Sequence, residues 1–249
     1  MNTAGGIFSK EELIRYNRQI IYPDWGEASQ RKVKKATAFI AGVGGLGSPV
    51  AIYLAVAGVG KLKICDNGYV ELSNLNRQVL YTARDIDELK VISAKDIVTK
   101  LNPDIEVEYF SEKISRENIE QLVGDSKIIV DCLDNFETRY ILNEYAVAKK
   151  LPFVHAGVEG FAGQLTFIHP PSTPCLRCVI PEAPPQTIFP IIGTTAGILG
   201  CLEANEVLKY LTGMGSNLKG ILMVWDGMET DFHRIETAKD PNCPVCGKK

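Results

Sequence analysis

The chain has 249 residues, 45% of them hydrophobic, and 27 Lys and Arg against 30 Asp and Glu give it a net charge of −3. That length supports a full core, and the slight acidity, with a pI near 5.7, leaves no basic footprint for nucleic acid as a main partner. The 22-residue uncharged run Phe39–Gly60 reads as strand, turn and helix rather than a membrane span, because a span needs about 20 apolar residues in unbroken helix and this run holds several glycines and Pro49.

In chain order, Ser9 predicts a helix N-cap, with Glu11 and Glu12 in the first turn, Leu13, Ile14, Asn17, Ile20 and Ile21 along the helix, and Pro23 stopping it. A short helix follows at about Glu27–Lys35. Thr37–Ala41 reads as a strand, Gly42–Gly47 as a glycine loop, Ser48–Ala57 as a helix and Lys61–Cys65 as a second strand ending in Asp66. Strands at Ile105–Phe110, Lys127–Asp131 and Phe153–Ala156 then alternate with helices from Lys90, around Ser115–Val123, and over Phe136–Lys150. This alternation implies right-handed crossovers and a doubly wound, Rossmann-like α/β fold whose sheet is largely parallel. After Gly157 the pattern changes to strands at Gly163–His169, Gly220–Trp225 and Phe232–Ile235, with one long helix at Thr195–Thr212. Added antiparallel strands are therefore expected in the C-terminal half. The expected organisation is one domain over 1–249, with a helical segment 1–35, a nucleotide-binding half 37–157 and a second half 158–249.

The loop Gly42-Val43-Gly44-Gly45-Leu46-Gly47 lies between a strand and a helix, with Asp66 about 20 residues on, the spacing of a ribose hydroxyl acceptor. Glycines there let a phosphate approach the N-terminus of the following helix, where free N–H groups favour anions. Arg77 and Lys90 add charge that a dinucleotide oxidoreductase would not need, and point to a nucleotide whose phosphates react. Asp134 follows a parallel strand at its carboxyl end, where ligands bind in such sheets. It suits Mg²⁺ beside a triphosphate, or alternatively the N-cap of the helix from Phe136.

Seven cysteines include two C-x-x-C knuckles, Cys175/Cys178 and Cys243/Cys246, with 64 residues between them. In a reducing compartment such knuckles mean metal before disulfides, and four thiolates leave no open position, the mark of a structural zinc. Cys65, Cys132 and Cys201 are expected to pack as small hydrophobes. His155 is expected to be a satisfied histidine near the site. Phe189–Ile192 could cover a substrate, fill the core or contact a second copy.

Taken together, Arg15-Tyr16-Asn17-Arg18-Gln19, the glycine loop, Leu72-Ser73-Asn74-Leu75-Asn76-Arg77-Gln78, Lys90-Val91, Asp131–Asn135 and the paired knuckles resemble the MoeB/ThiF/HesA family, relatives of the ubiquitin-activating enzymes. The resemblance runs from about Glu12 to the C-terminus. It implies a dimeric adenylyltransferase that attaches AMP to the C-terminal glycine of a ubiquitin-like sulfur carrier of the MoaD or ThiS kind, using ATP and Mg²⁺ with a structural Zn²⁺. It implies that Gly42, Gly44, Gly45 and Gly47 approach the phosphates, that Asp66 binds the ribose and that Ser73, Asn74, Arg77 and Lys90 lie at the triphosphate. Asp134 would bind the Mg²⁺ and Arg18 would reach into the other subunit's site. Some members link a cysteine covalently to the carrier in the segment after the first knuckle; here Gln186 and Thr187 stand in that region and no cysteine lies between Val179 and Gly200, so a separate sulfur donor is expected. Other readings are a peptide precursor as substrate, a cyclising dehydratase acting on a modified tRNA adenosine, and an NAD-dependent oxidoreductase. Molybdopterin and thiamine routes both remain open. The polar stretch Met1–Lys10 has no apolar run of the signal-peptide kind, and a cytoplasmic location is expected.

Overall fold

The computed structural model describes residues 7–185 and 189–247. Met1–Gly6 of the polar N-terminus, and Gln186 and Thr187, lie outside the described residues. Among the described residues eight strands, β1 Thr37–Ala41, β2 Lys61–Cys65, β3 Glu106–Phe110, β4 Ile128–Asp131, β5 Phe153–Glu159, β6 Ala162–Ile168, β7 Ile221–Asp226 and β8 Asp231–Glu236, form one sheet in the order β3-β2-β1-β4-β5-β6-β7-β8. The pairs from β3 through β5 are parallel and those from β5 to β8 antiparallel. The helices are α1 Lys10–Arg15, α2 Asn17–Ile20, α3 Gly26–Lys34, α4 Gly47–Ala57, α5 Lys90–Leu101, α6 Ile119–Val123, α7 Phe136–Lys149, α8 Leu176–Val179 and α9 Gly193–Thr212. The fold class is the expected one.

Alternation along the central strand divides the core. Ala38 and Ile40 face one cluster with Val50, Leu54, Val91, Val98, Leu199 and Val207, whereas Phe39 and Ala41 face another with Ile119, Leu122, Tyr140 and Leu142. All five residues of β1 are buried, as expected for a strand covered by helices on both faces. Burying a side chain such as Ile40 or Phe39 contributes roughly 1.5–3 kcal/mol.

The single N-terminal helix expected up to Ile21 is instead two short ones. Ser9 does cap it, as a capping box with Glu12, but Tyr16 leaves helical geometry at ψ 6° and turns into the core. It is 2% exposed, and its hydroxyl accepts a 2.8 Å hydrogen bond from Asn102 Nδ2. Tertiary burial of one aromatic overrides local propensity there. No helix among the described residues is long and apolar enough to cross a membrane.

Candidate active site

The sheet order reverses between β1 and β4. β2 and β3 lie to one side of β1, while β4 and β5 lie to the other, so the loops leaving β1 and β4 diverge and open a crevice at their carboxyl ends. A cavity of about 970 Å³ occupies it. Gly42, Gly44, Gly45, Asp66, Arg77, Lys90 and Asp134 all line this cavity, as do Phe189 and Ile191.

Two glycines make the loop possible. Gly42 has φ +89°, and a Cβ there would stand 2.8 Å from the Cys132 carbonyl oxygen. Gly47 begins α4 so close to the loop that a Cβ would stand 2.0 Å from the Gly42 oxygen. Neither position admits a side chain without moving backbone. Asp66 is fixed from both sides: Val43 N–H donates to Oδ2 at 2.9 Å and Gly68 N–H to Oδ1 at 2.8 Å. Tyr81 donates to the Val43 carbonyl at 2.8 Å, pinning the loop that holds the aspartate.

Neither cation is neutralised, and Arg77 is held in place by its own loop. Arg77 Nη1 donates to Ser73 O at 2.9 Å and Asn76 Oδ1 at 3.0 Å. Neither Arg77 nor Lys90 has a carboxylate partner among the described residues. Two half-buried cations facing one cavity call for an anion. The alternatives for Asp134 separate as well: Asn135 is the N-cap of α7, its Oδ1 accepting from Thr138 N–H at 2.9 Å. Asp134 is thus exposed to the cavity without a hydrogen-bond or ion-pair partner among the described residues.

Four expected residues do not line the cavity, Gly47 at the start of α4 among them. Ser73 and Asn74 do not line the cavity; Asn74 is buried and closes its own turn, accepting from Glu71 N–H at 3.2 Å. Arg18 is exposed on α2, outside the cavity.

Behind the cavity wall lies a charged cluster that the sequence did not reveal. Asp131 and His155 are wholly buried and face each other across β4 and β5, His155 Nδ1 standing 2.7 Å from Asp131 Oδ2. Leu133 N–H donates to the other carboxylate oxygen at 3.2 Å, and Arg139 Nε lies 3.5 Å from Oδ2. Arg139 Nη2 donates to Ala156 O at 2.9 Å and also to Leu133 O. Burial pushes the His155 pKa below its ordinary value, opposed by the hydrogen bond and charge of Asp131. His155 is satisfied, as expected. Its partner went unseen because Asp131 lies 24 residues earlier and meets it only through strand register.

Of the solitary cysteines, Cys65 and Cys132 are core, and burial pushes Cys65 up to about 12 and Cys132 well above its usual range. Cys201 is a correction: it is exposed. Leu199, Gly200, Glu203, Ala204 and Val207 form the buried face of α9, and at 100° per residue Cys201 falls outside that stripe. Partial burial of the sulfur raises its pKa too, so none of the three is an activated thiolate.

Cys175, Cys178, Cys243 and Cys246 converge, with all four sulfurs within 4.8 Å of one another. The Cys175–Cys243 and Cys178–Cys246 pairs lie 3.6 and 3.4 Å apart. Tetrahedral thiolates around zinc stand roughly 3.8 Å apart, given Zn–S bonds of about 2.3 Å, so the cluster could hold zinc. Asp240 N–H points at the Cys178 sulfur at 3.5 Å, as outer-sphere donors do in such sites.

Comparison with known proteins agrees with this geometry. The profile of the ThiF family matches residues 16–245. A Thermus thermophilus protein named sulfur carrier protein adenylyltransferase is 39% identical over 251 aligned residues, covering 96% of this chain and 93% of its own. Among solved structures, E. coli MccB with ATP superposes at TM-score 0.82 and 26% identity, over 94% of this chain and 74% of that one. E. coli MccB with MccA-N7isoASN superposes at TM-score 0.86 and 25% identity, over 94% and 75%.

Proposed function

The chain belongs to the ThiF family, and from that premise we propose that it adenylylates the C-terminal glycine of a ubiquitin-like sulfur carrier of the MoaD or ThiS type, consuming ATP and releasing pyrophosphate. The observation that carries this reading is the pair of unneutralised cations, Arg77 and Lys90, on the cavity that also holds the glycine loop and the doubly anchored Asp66. An NAD site has no use for them. The name of the T. thermophilus relative supplies the substrate class, and its enzymatic role, adenylyltransferase, is the one adopted.

Asp66 accepts the ribose hydroxyls, and the loop amides with the α4 N-terminus take the α-phosphate. One oxygen of the tail carboxylate attacks the α-phosphorus; that O–P bond forms as the bond from phosphorus to the bridging oxygen breaks, and the electron pair leaves on pyrophosphate. Arg77 and Lys90 offset the charge that accumulates there. No general base is required, since the tail carboxylate is already ionised at neutral pH. Asp134, with its carboxylate uncommitted, suits Mg²⁺, which would supply further charge neutralisation on the phosphates. The four cysteines would hold a structural Zn²⁺ that ties the C-terminal segment to the β6–α8 region. A cluster of reduced thiols fits the cytoplasm.

The catalyst is a homodimer in this reading. Exposed Ile14, Ile21, Leu72 and Val79, at 77, 61, 72 and 65%, lie on the segments that bear Arg18 and Arg77, and a second copy covering them would bring Arg18 toward the neighbouring site. Sulfur then comes from a separate donor. A short peptide substrate is the alternative, favoured by the likeness to MccB seen with MccA-N7isoASN. Mg²⁺-dependent ATP–pyrophosphate exchange tests the proposal, with MoaD- and ThiS-type carriers added singly. Exchange that requires an intact Gly-Gly tail supports it; ATP binding without exchange for any carrier turns the reading toward a peptide or tRNA.

A further inference from the structure

The cluster behind the cavity wall has an outlet. Gln164, on β6, lines the cavity, and its Nε2 lies 3.4 Å from His155 Nε2. The chemistry of the chain Asp131–His155–Gln164 fixes which way each group points. Asp131, as a carboxylate, only accepts, so the His155 nitrogen 2.7 Å from it carries the proton. Complete burial holds the ring neutral, and a neutral imidazole has one N–H. His155 Nε2 is therefore a bare acceptor, and Gln164 must present its NH₂ to it. That leaves the Gln164 amide oxygen without a partner among the described residues, on a side chain that lines the cavity.

The surroundings favour one kind of ligand. Gly157, having no side chain, leaves room for the Gln164 amide, since a Cβ at that position would stand 3.3 Å from Nε2. The crossing segment already occupies the backbone groups at the turn: Gly160 N–H donates to Pro190 O at 2.6 Å, and Ile192 N–H donates to Gly160 O at 3.3 Å. Gln164 thus offers a fixed acceptor beside a wall whose turn amide is spent. An acceptor at that height meets a donor on an extended strand, whose N–H groups point sideways.

We propose that Gln164 is a substrate-positioning residue whose amide oxygen, turned outward by His155 and Asp131, accepts a backbone N–H of the extended C-terminal tail that enters to be adenylylated. This rests on the carrier-tail reading above. Its contact is with backbone and so does not depend on which carrier is bound, and it sets the tail's depth so that the carboxylate meets the α-phosphorus.

The test uses a MoaD-type carrier made by semisynthesis with its last Gly-Gly linkage either an amide or an ester, which lacks the N–H. Gln164→Met keeps the shape of the side chain and removes its acceptor. With the wild-type protein the ester tail lowers kcat/KM for the carrier in the exchange assay by about 5–10-fold, the loss of one ordinary hydrogen bond. Gln164→Met shows the same loss with the amide tail, no further loss with the ester tail, and an unchanged KM for ATP. Losses that multiply, or a variant equal to wild type with both tails, overturn the inference. If the wild-type protein supports no exchange with either a MoaD-type or a ThiS-type carrier, the carrier-tail reading falls and the inference with it. Independently of turnover, ¹⁵N NMR of the ring nitrogens expects a proton on His155 Nδ1 and none on Nε2; the reverse tautomer overturns the assignment.

Discussion

The parallel and antiparallel parts of the sheet handle their polar groups in opposite ways. At the carboxyl ends of β1, β2 and β4 two of the functional side chains are pinned by backbone, Asp66 by two amides and Arg77 by a carbonyl, while Asn135 caps α7 and leaves Asp134 free to face the cavity. In the antiparallel part, β8 is exposed along all six of its residues, and the C-terminal segment meets the body at a cluster of sulfurs. The lesson is a division of labour between a pre-organised pocket and an open sheet surface held by a staple. The first is specified locally by glycines and strand ends, the second by residues far apart in the chain.

The largest effect that would break this comparison lies in the pocket. Arg77→Ala is expected to reduce the exchange rate by about 10²–10³-fold, the usual loss for a fixed transition-state charge, with the melting temperature little changed because the guanidinium has no ion-pair partner to orphan. A comparable fall in melting temperature would instead make Arg77 structural. Next, Cys243→Ser or a chelator is expected to lower the melting temperature by about 10 °C, for a loss of roughly 3–5 kcal/mol in a chain of this size. Hydrogen exchange should then accelerate around α8 and residues 240–247 while ATP affinity holds. Unchanged zinc content and melting temperature would remove the staple from the account.

Smaller still is Gly42→Ala. Its positive φ and the 2.8 Å approach to Cys132 O predict a destabilisation on the order of 1–3 kcal/mol, seen in urea melts together with weaker ATP binding. The smallest effects concern pH. Glu203 is buried on α9 against Cys132, one carboxylate oxygen without a partner, and burial raises its pKa well above the usual value, with Asp131 adding to the rise. A raised carboxyl binds more protons folded than unfolded, so its contribution to stability declines as pH climbs above about 4.5. His155 is lowered, so it binds fewer protons folded, and its contribution improves up to about pH 6.5. The two oppose each other in the window between. Glu203→Gln removes the first, and urea melts at pH 5 and 8 should show the variant gaining on wild type at the higher pH. A gain equal at both values would mean that Glu203 is ionised in the fold.

The elements of the parallel half were legible because each strand, its terminal glycine or aspartate and the next helix are contiguous in sequence, and the observed bounds of β1 and β2 coincide with those expected. The convergence of the four knuckle cysteines was legible from spacing alone. What escaped depended on contacts across the fold. Tyr16 breaks a helix for the sake of a pocket formed by Gly58 and Asn102. Cys201 sits off the buried stripe of α9 despite apolar neighbours in sequence. Asp131 and Gln164 reach His155 only once β4, β5 and β6 are side by side.

The central claim is that the pinned pocket holds ATP while a carrier tail is fed to it past the open sheet. Intact-mass spectrometry of a MoaD- or ThiS-type carrier after incubation with the protein, ATP and Mg²⁺ addresses it directly. The account predicts a carrier heavier by one AMP when its Gly-Gly tail is intact, no adduct when the tail is clipped, and adduct forming about 10²–10³-fold more slowly when Arg77→Ala replaces the wild-type protein. A protein that binds ATP yet leaves every carrier at its original mass would contradict it.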